Sequence, residues 1–325
     1  MKKVSVIIPM YNVEKVMARS VHSIFTQTLG DFEAVFVDDC SSDNTGEELR
    51  RIISSYNRED ISVKLVRHEQ NKGVAAARNT GLDNAEGEYV YYLDSDDYVD
   101  DDALEVMYEA AKREDSDVVG CEWLLSFENN ARHMVQPEVK TGREAFGKMC
   151  NGVMRWNLWL FMVRRDLYNS FGFIPGANMG EDMMVMMKVL LNTGRVSMIH
   201  RPLYHYIQTN SGAMTKNFSA YKDQVTANVA EVERYIAQRE NSDEFVGLIN
   251  QLKLNLKLPL IVSDKKSDFE MWQEWFPESN AYAGMNAEQP FRTRMIQRWA
   301  AKRWYFAVEL YYKLVIKFVY GVIYR

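Results

Sequence analysis

The apolar and polar positions of the chain switch repeatedly between two periods over the first 120 residues. Val4–Ile8 is rich in β-branched residues and reads as a buried strand that stops at Pro9. Apolar residues at Val13, Val16, Met17, Val21, Ile24 and Phe25 then form a helical stripe over Glu14–Thr26. Phe32–Val37 is a second strand. Ser41 to Asn44 offers capping side chains, and Glu47 and Glu48 favour the start of a helix that runs to about Ser55. Val63–Val66 and Tyr89–Leu93 read as the third and fourth strands, with a helix over Gly73–Asn84 between them. Asp101–Arg113 is helical and Asp117–Cys121 is a fifth strand. Strands alternating with helices predict an α/β fold with βαβ units and a mostly parallel sheet flanked by helices.

Beyond residue 150 the pattern changes. Trp156–Arg164 is apolar and aromatic, Phe171–Pro175 is a loop, and Glu181–Leu191 reads as a helix. Arg195–His200 and Leu203–Ile207 suggest two short strands. From about Ser219 the chain reads as helical, with breaks near Pro259 and between Pro277 and Pro290. A domain boundary is therefore expected near residue 217, with an α/β domain over 1–217 and a helical C-terminal region over 218–325.

Charge sharpens this division. The chain carries −6 overall, yet Pro290–Arg325 holds eight Lys/Arg against Glu309 alone, so the remainder carries −13. An acidic body argues against nucleic acid as its partner, and a basic tail points to a local anionic one. The three cysteines, Cys40, Cys121 and Cys150, form no CxxC and suit free thiols in a reducing, cytoplasmic compartment. The apolar run at the start is too short for a signal core or a membrane span.

The polar clusters fall at one kind of place. Pro9–Asn12, Asp38–Asp39, His68–Lys72 and Asp94–Asp97 each follow a strand. In open α/β sheets ligands bind outside the carboxyl ends of the strands, so the four clusters should meet in one crevice. Neither G-x-G-x-x-G nor G-x-x-x-x-G-K-[ST] is present to cradle a phosphate. Carboxylates alone repel a diphosphate, and a divalent cation between them resolves the conflict. Mg²⁺ or Mn²⁺ commonly binds through one or two carboxylates plus substrate phosphates. If the chain stays extended, Asp94 and Asp96 share a face and reach one ion.

VSVIIPMYN, VDDCSSDNT, NKGVAAARNTGL, YLDSDD and GED, in this order, resemble glycosyltransferase family 2, inverting enzymes with the Rossmann-like GT-A fold. The resemblance covers roughly residues 1–215. It implies that Pro9, Tyr11 and Glu14 embrace a nucleotide base and that Asp39 accepts a hydrogen bond from a uracil ring, hence a UDP-sugar donor. An acceptor-only carboxylate selects such an imide N–H. Arg78 resembles the basic residue near the base or donor phosphates; as a residue of a helix it could equally form a surface salt bridge. Asp94 and Ser95 correspond to donor contacts, and Asp94 and Asp96 to the metal-binding DxD. Asp97 either faces the donor sugar or caps the next helix.

Gly180-Glu181-Asp182, about 85 residues after the DxD, matches the family's catalytic acidic pair. Asp182 is implied to be the general base and Glu181 to orient the site. His205 lies where some relatives contact the diphosphate or metal. Two positions depart from the family: Tyr206-Ile207 lacks a common arginine, for which Ser211, Thr215 or Lys216 could compensate, and Phe161 replaces a lysine after Trp159. Trp156 and Trp159 are either acceptor platforms or core.

In the tail, Glu309, Lys313 and Lys317 recur every four residues on an otherwise apolar helix. Residues 291–325 therefore suit peripheral contact with the cytoplasmic membrane face or internal packing. The acceptor expected from the family and the tail is a glycan or a lipid-linked saccharide. The competing readings are a non-catalytic scaffold, disfavoured by intact DSDD and GED, and a sugar nucleotidyltransferase, disfavoured because PMYNVEK has no glycine. Donor sugar, linkage and homo-oligomerisation are left open by the sequence.

Overall fold

The computed structural model describes residues 2–127, 130–208 and 221–315. The chain first alternates as expected: β1 (Val4–Met10), α1 (Ala18–Phe25), β2 (Phe32–Asp38), α2 (Thr45–Ile53), β3 (Ile61–Arg67), α3 (Val74–Asp83) and β4 (Tyr89–Tyr92). These four strands are parallel, in the order β3-β2-β1-β4. Every residue of β1 and β2 is buried, which explains their continuous apolar pattern; β3 lies at the end of the sheet and is partly exposed.

The sheet continues through β5 (Tyr98–Val99), α4 (Ala103–Glu114), β6 (Val118–Ser126), β7 (Ala131–Met134), α5 (Gly142–Cys150), β8 (Phe161–Arg164), α6 (Glu181–Leu191) and β9 (Val196–Ile207). β5, β7 and α5 were not among the expected elements, and three further features were not legible in the periodicity. The apolar stretch Phe161–Arg164 inserts as β8 between β4 and β6, antiparallel to both. A short, wholly apolar run does not by itself distinguish a strand from other core. The two short strands expected between 195 and 207 are one strand, β9, whose pairing with β6 shifts register beside Pro202. A proline lacks the N–H a regular ladder needs, so a bulge accommodates it. The first helix begins at Ala18 rather than Glu14, because residues 11–17 form a turn started by Asn12 at φ 53°.

Two compact units make up the chain: residues 1–145 with 156–232, and 146–155 with 233–325. The expected boundary at residue 217 lies outside the described residues. The second unit contains α8 (Val246–Leu256), α9 (Lys266–Glu274), α10 (Phe291–Ala301) and α11 (Tyr305–Tyr311), preceded by the end of α7 (Lys222–Ala237). Pro259 and Pro277 sit in the first turns of short 3-10 segments that break the helical run. Its core includes a fully buried lysine, Lys257, whose Nζ donates to the carbonyls of Trp275 (3.0 Å) and Phe276 (3.2 Å) and to Asn280 Oδ1 (2.5 Å). The same ammonium lies 4.2 Å from the centre of the Trp272 ring.

No described helix is long and apolar enough to cross a membrane. Trp304, Phe306, Leu310 and Leu314 are exposed, and Lys313 pairs with Glu309. Lys317 and the rest of the tail beyond residue 315 lie outside the described residues.

Candidate active site

The carboxyl ends of the parallel strands align, since Met10 is paired with Asp38 and Asp38 with Arg67. The loop after β1 is clipped to the loop after β2. Asn12 N–H donates to Ser41 Oγ (3.0 Å), Asn12 Oδ1 accepts from Ser42 N–H (2.8 Å), and Glu14 accepts from Asn44 (3.2 Å). Glu14 is thus occupied at the start of α2. Pro9 is buried within β1, whereas Tyr11 is about half exposed at 49%.

Asp39 is buried and richly bonded. Its Oδ1 accepts from His68 Nδ1 (2.6 Å) and Lys72 N–H (2.9 Å), and its Oδ2 accepts from Gly73 N–H (2.7 Å). His68 continues to Thr80 Oγ1 (2.8 Å). Gly73 stands at φ 85° immediately before α3, and a Cβ there would lie 2.3 Å from Asn178 Nδ2. Both the turn and the close approach need glycine. Asn178 Oδ1 accepts from Ala75 N–H (3.1 Å) in the first turn of α3. Sequence reasoning did not single out Asn178, because an isolated loop amide has no periodic signal.

β4 ends at Tyr92, and Asp97 N–H donates to Asp94 O (3.1 Å), so Asp94–Asp97 is a tight turn rather than extended chain. Asp94 and Asp96 are half-buried and Ser95 is buried. Strand alternation therefore does not set the relative direction of the two carboxylates; the turn does. Asp97 is 1% exposed and directed into the protein: its Oδ1 accepts from Ile207 N–H (2.7 Å) and its Oδ2 from Tyr204 O–H (2.7 Å). It caps no helix, because Asp102 precedes α4. Burial, then the neighbouring charges of Asp94 and Asp96, push Asp97 up to about 8.

Asp94 meets the Gly180–Asp182 segment through one arginine. Arg78, in the second turn of α3, has a side chain only 4% exposed, so it is not a surface salt bridge. Its Nη1 donates to Glu181 Oε1 (2.5 Å) and Asp182 Oδ1 (2.5 Å), and its Nη2 to Asp94 Oδ1 (3.2 Å). Glu181 and Asp182 open α6, whose following residues Met183–Leu190 are all buried, so the pair stands on a fixed base. Their place in the first turn also suits the positive end of the helix dipole. Desolvation and the adjacent Asp182 raise Glu181, against the pull of Arg78. Desolvation likewise lifts Asp94 to about 6, opposed by Arg78 and helped by Asp182 and Asp96.

The remaining expectations divide. Trp159 is buried, stacked on Tyr204 with ring centres 4.1 Å apart and edge-on to Trp123. It is core and offers no open platform; Trp156 is half-buried. His205 Nε2 bonds to Asp100 Oδ1 (2.7 Å) and its ring stacks on Tyr98 at 4.2 Å, so its partners are Asp100 and Tyr98 rather than the DxD. Tyr98 lies opposite His205 in the β5–β9 pair, and Asp100 directly follows β5. Ser211, Thr215 and Lys216 lie outside the described residues.

Three carboxyl groups, Asp94, Glu181 and Asp182, thus meet on one guanidinium, with Asp96 and Asp97 following Asp94 in the same turn. The donor set at Asp94 and Asp96 is oxygen only, and like charges raise Asp94; a hard divalent cation fits such a place. Among the described residues no three His, Cys, Asp or Glu side chains form a ready-made cage. The fit is to a cation that shares its coordination with a ligand's own oxygens.

A sequence model described as glycosyl transferase family 2 matches residues 5–190, more than half of the chain. This chain belongs to glycosyl transferase family 2. The uncharacterized glycosyltransferase EpsJ of Bacillus subtilis is 29% identical over 223 residues, covering 66% of this chain and 63% of EpsJ. The cholesterol galactosyltransferase of Borreliella burgdorferi is 31% identical over 244 residues, 70% of this chain and 66% of that protein. The chain thus spans slightly under two thirds of these two relatives. Among solved structures, Staphylococcus aureus TarS 1–349 in complex with UDP-GlcNAc matches with a TM-score of 0.69 at 22% identity, over 96% of this chain and 91% of TarS 1–349. The fold is therefore the GT-A fold of the family, and the match extends into the helical region.

Proposed function

We propose that this chain is an inverting glycosyltransferase that moves one sugar from a UDP-sugar to a hydroxyl of a glycan or lipid-linked saccharide. The observation that carries the reading is the meeting of Asp94 with Glu181 and Asp182 on Arg78, where two distant acidic motifs form one site. Family membership supports the reaction class, and the UDP-GlcNAc bound by TarS supports a uridine donor. The transferase domain expected over 1–217 is assigned in this reading to the first compact unit, residues 1–145 with 156–232.

In this reading Tyr11 and the strand-end loops receive the base, with Pro9 and Glu14 shaping the loop that carries it. Asp39, buried and acceptor-only, receives the uracil N–H. Ser95 lies beside the donor. Asp94 and Asp96 hold Mn²⁺ or Mg²⁺, which when bound offsets the charge of the diphosphate. Asp182 takes the proton of the acceptor hydroxyl. The acceptor oxygen bonds to the anomeric carbon as the carbon–oxygen bond to the diphosphate breaks, UDP leaves with the bonding electrons, and the configuration inverts. Glu181 orients Asp182, and Trp156 is the remaining aromatic candidate for the acceptor side.

The test is UDP release from a panel of UDP-sugars with Mn²⁺ or Mg²⁺ and glycan or lipid-linked acceptors. Release of UDP is expected; release of pyrophosphate identifies a nucleotidyltransferase, and release of neither, with UDP bound, identifies a scaffold. A peripheral membrane role for residues 291–325 rests on exposed Trp304, Phe306, Leu310 and Leu314 beside Lys302 and Arg303. Sedimentation with anionic liposomes is expected, and its absence removes that role.

A further inference from the structure

The seam between α3 and the segment that leads into α6 is stitched at three levels. At the first turn of α3, Asn178 accepts from Ala75 N–H and packs against Gly73. At the second, Arg78 reaches Glu181 and Asp182. One residue on, Asn79 Nδ2 donates to Phe173 O (2.8 Å) while its Oδ1 accepts from Phe173 N–H (2.8 Å). Phe173 in turn lies 5.8 Å from the Arg78 guanidinium, with Tyr92 at 6.0 Å. The arginine therefore lies between two aromatic rings and three carboxyl groups.

Two roles compete for such a residue. A donor-phosphate clamp needs N–H groups directed at the ligand. Here Nη1 is taken by Glu181 and Asp182 and Nη2 meets Asp94, while the Nε N–H has no hydrogen-bond partner but is buried, and the side chain is 4% exposed. A positioning residue needs contacts that fix the reacting group. Asp182 has its Oδ1 on Arg78, and its Oδ2 lies 3.4 Å from Leu158 N–H, so both oxygens are directed. A planar fork can hold several carboxylates at set angles, which an ammonium cannot. We propose that Arg78 is a positioning residue that holds Asp182, Glu181 and Asp94 in one arrangement and makes no contact with the donor phosphates. This rests on the transferase reading above.

The test compares Arg78→Met and Arg78→Lys with the wild-type chain. UDP affinity and binding stoichiometry are measured by calorimetry without added divalent cation, so that a displaced Asp94 does not act on UDP through a bound metal. Turnover is measured at saturating concentration of the UDP-sugar that the wild-type chain uses. The expected result for Arg78→Met is a kcat at least ~100-fold lower, with UDP Kd within about threefold of wild type and one site per chain, because orientation acts on the reacting state. Arg78→Lys is expected to recover about tenfold of the loss, since it restores charge without the fork. Misfolding alone lowers stoichiometry together with turnover. If Arg78→Met shows no cooperative thermal transition, Arg78→Met/Glu181→Gln, which removes one stranded charge, takes its place. A UDP Kd weakened tenfold or more, whether or not kcat also falls, assigns Arg78 to the phosphates and overturns the proposal; unchanged kcat overturns it equally. A wild-type chain that binds no UDP removes the nucleotide reading, and this inference with it.

Discussion

Two buried cations, one in each compact unit, show how the same liability is handled in opposite ways. Arg78 is surrounded by carboxylates: Glu181, Asp182 and Asp94 touch it, with Asp96 and Asp97 close by in sequence to Asp94. Lys257 is surrounded by dipoles: two backbone carbonyls, one amide oxygen and the face of Trp272. Around Lys257 three acceptors meet the three N–H bonds of an ammonium, and nothing is left over. Around Arg78 negative charge remains in excess, with Asp94 half-buried rather than sealed. A closed, matched arrangement serves stability, whereas an unbalanced one at a cleft stores an electrostatic preference for a ligand.

The largest effect that can break this comparison comes from the acids. Asp182→Asn is expected to lower transfer by about 10²–10⁴-fold, the range for a general base, with UDP affinity retained. Turnover and calorimetry on the same preparation check this, and lost affinity with normal turnover defeats the assignment of the base.

Next in size is the lysine. Lys257→Met keeps the stem but strands three buried acceptors, at about 3 kcal/mol of stability. Chemical denaturation reads this loss, while UDP affinity is expected to stay as in the wild type. A variant that loses UDP binding but not stability reverses the contrast between the two cations.

Gly73→Ala tests the backbone on which Arg78 stands. With φ at 85° and Asn178 Nδ2 2.3 Å from the added Cβ, the loss is about 2 kcal/mol. Because Gly73 N–H binds Asp39, UDP affinity is expected to fall as well. Unchanged stability and affinity exclude a role for this turn.

The smallest effect, taken per pH unit, is a pH dependence. Burial pushes Lys257 down to about 7, below the ~10.4 of a free lysine. Between those values the unfolded chain binds a proton that the folded chain binds less, so this residue's contribution falls as pH is lowered from about 10 to about 7. The upper limit is about 1.4 kcal/mol per pH unit. The carbonyls and Trp272 favour the ammonium and reduce it. The stability difference between wild type and Lys257→Met is expected to widen from pH 7 to pH 10; a flat difference shows Lys257 charged throughout.

Much of this molecule was legible in its sequence because periodicity reports burial. β1, β2, β3, β4, α3 and α6 lie within a few residues of their expected positions, and the carboxylates follow strands as anticipated. Short local elements escaped, β7 and α5 among them, and so did elements whose partners are remote in sequence. β8 is one: its neighbours β4 and β6 come from residues about 40 to 70 positions earlier. The direction of Asp97 is another, since Tyr204 and Ile207 are more than 100 residues away.

By itself the sequence determined the alternation of strands and helices, the oxygen-only chemistry at Asp94–Asp97, and the family. These are local properties, carried by period and residue type. Tertiary structure alone decided that Arg78 joins Asp94 to Asp182, that Trp159 belongs to the core, and that His205 pairs with Asp100. Each depends on which side chains share a buried volume. Burial removes the water that would otherwise screen or replace a partner, so a side chain's role is set by what surrounds it.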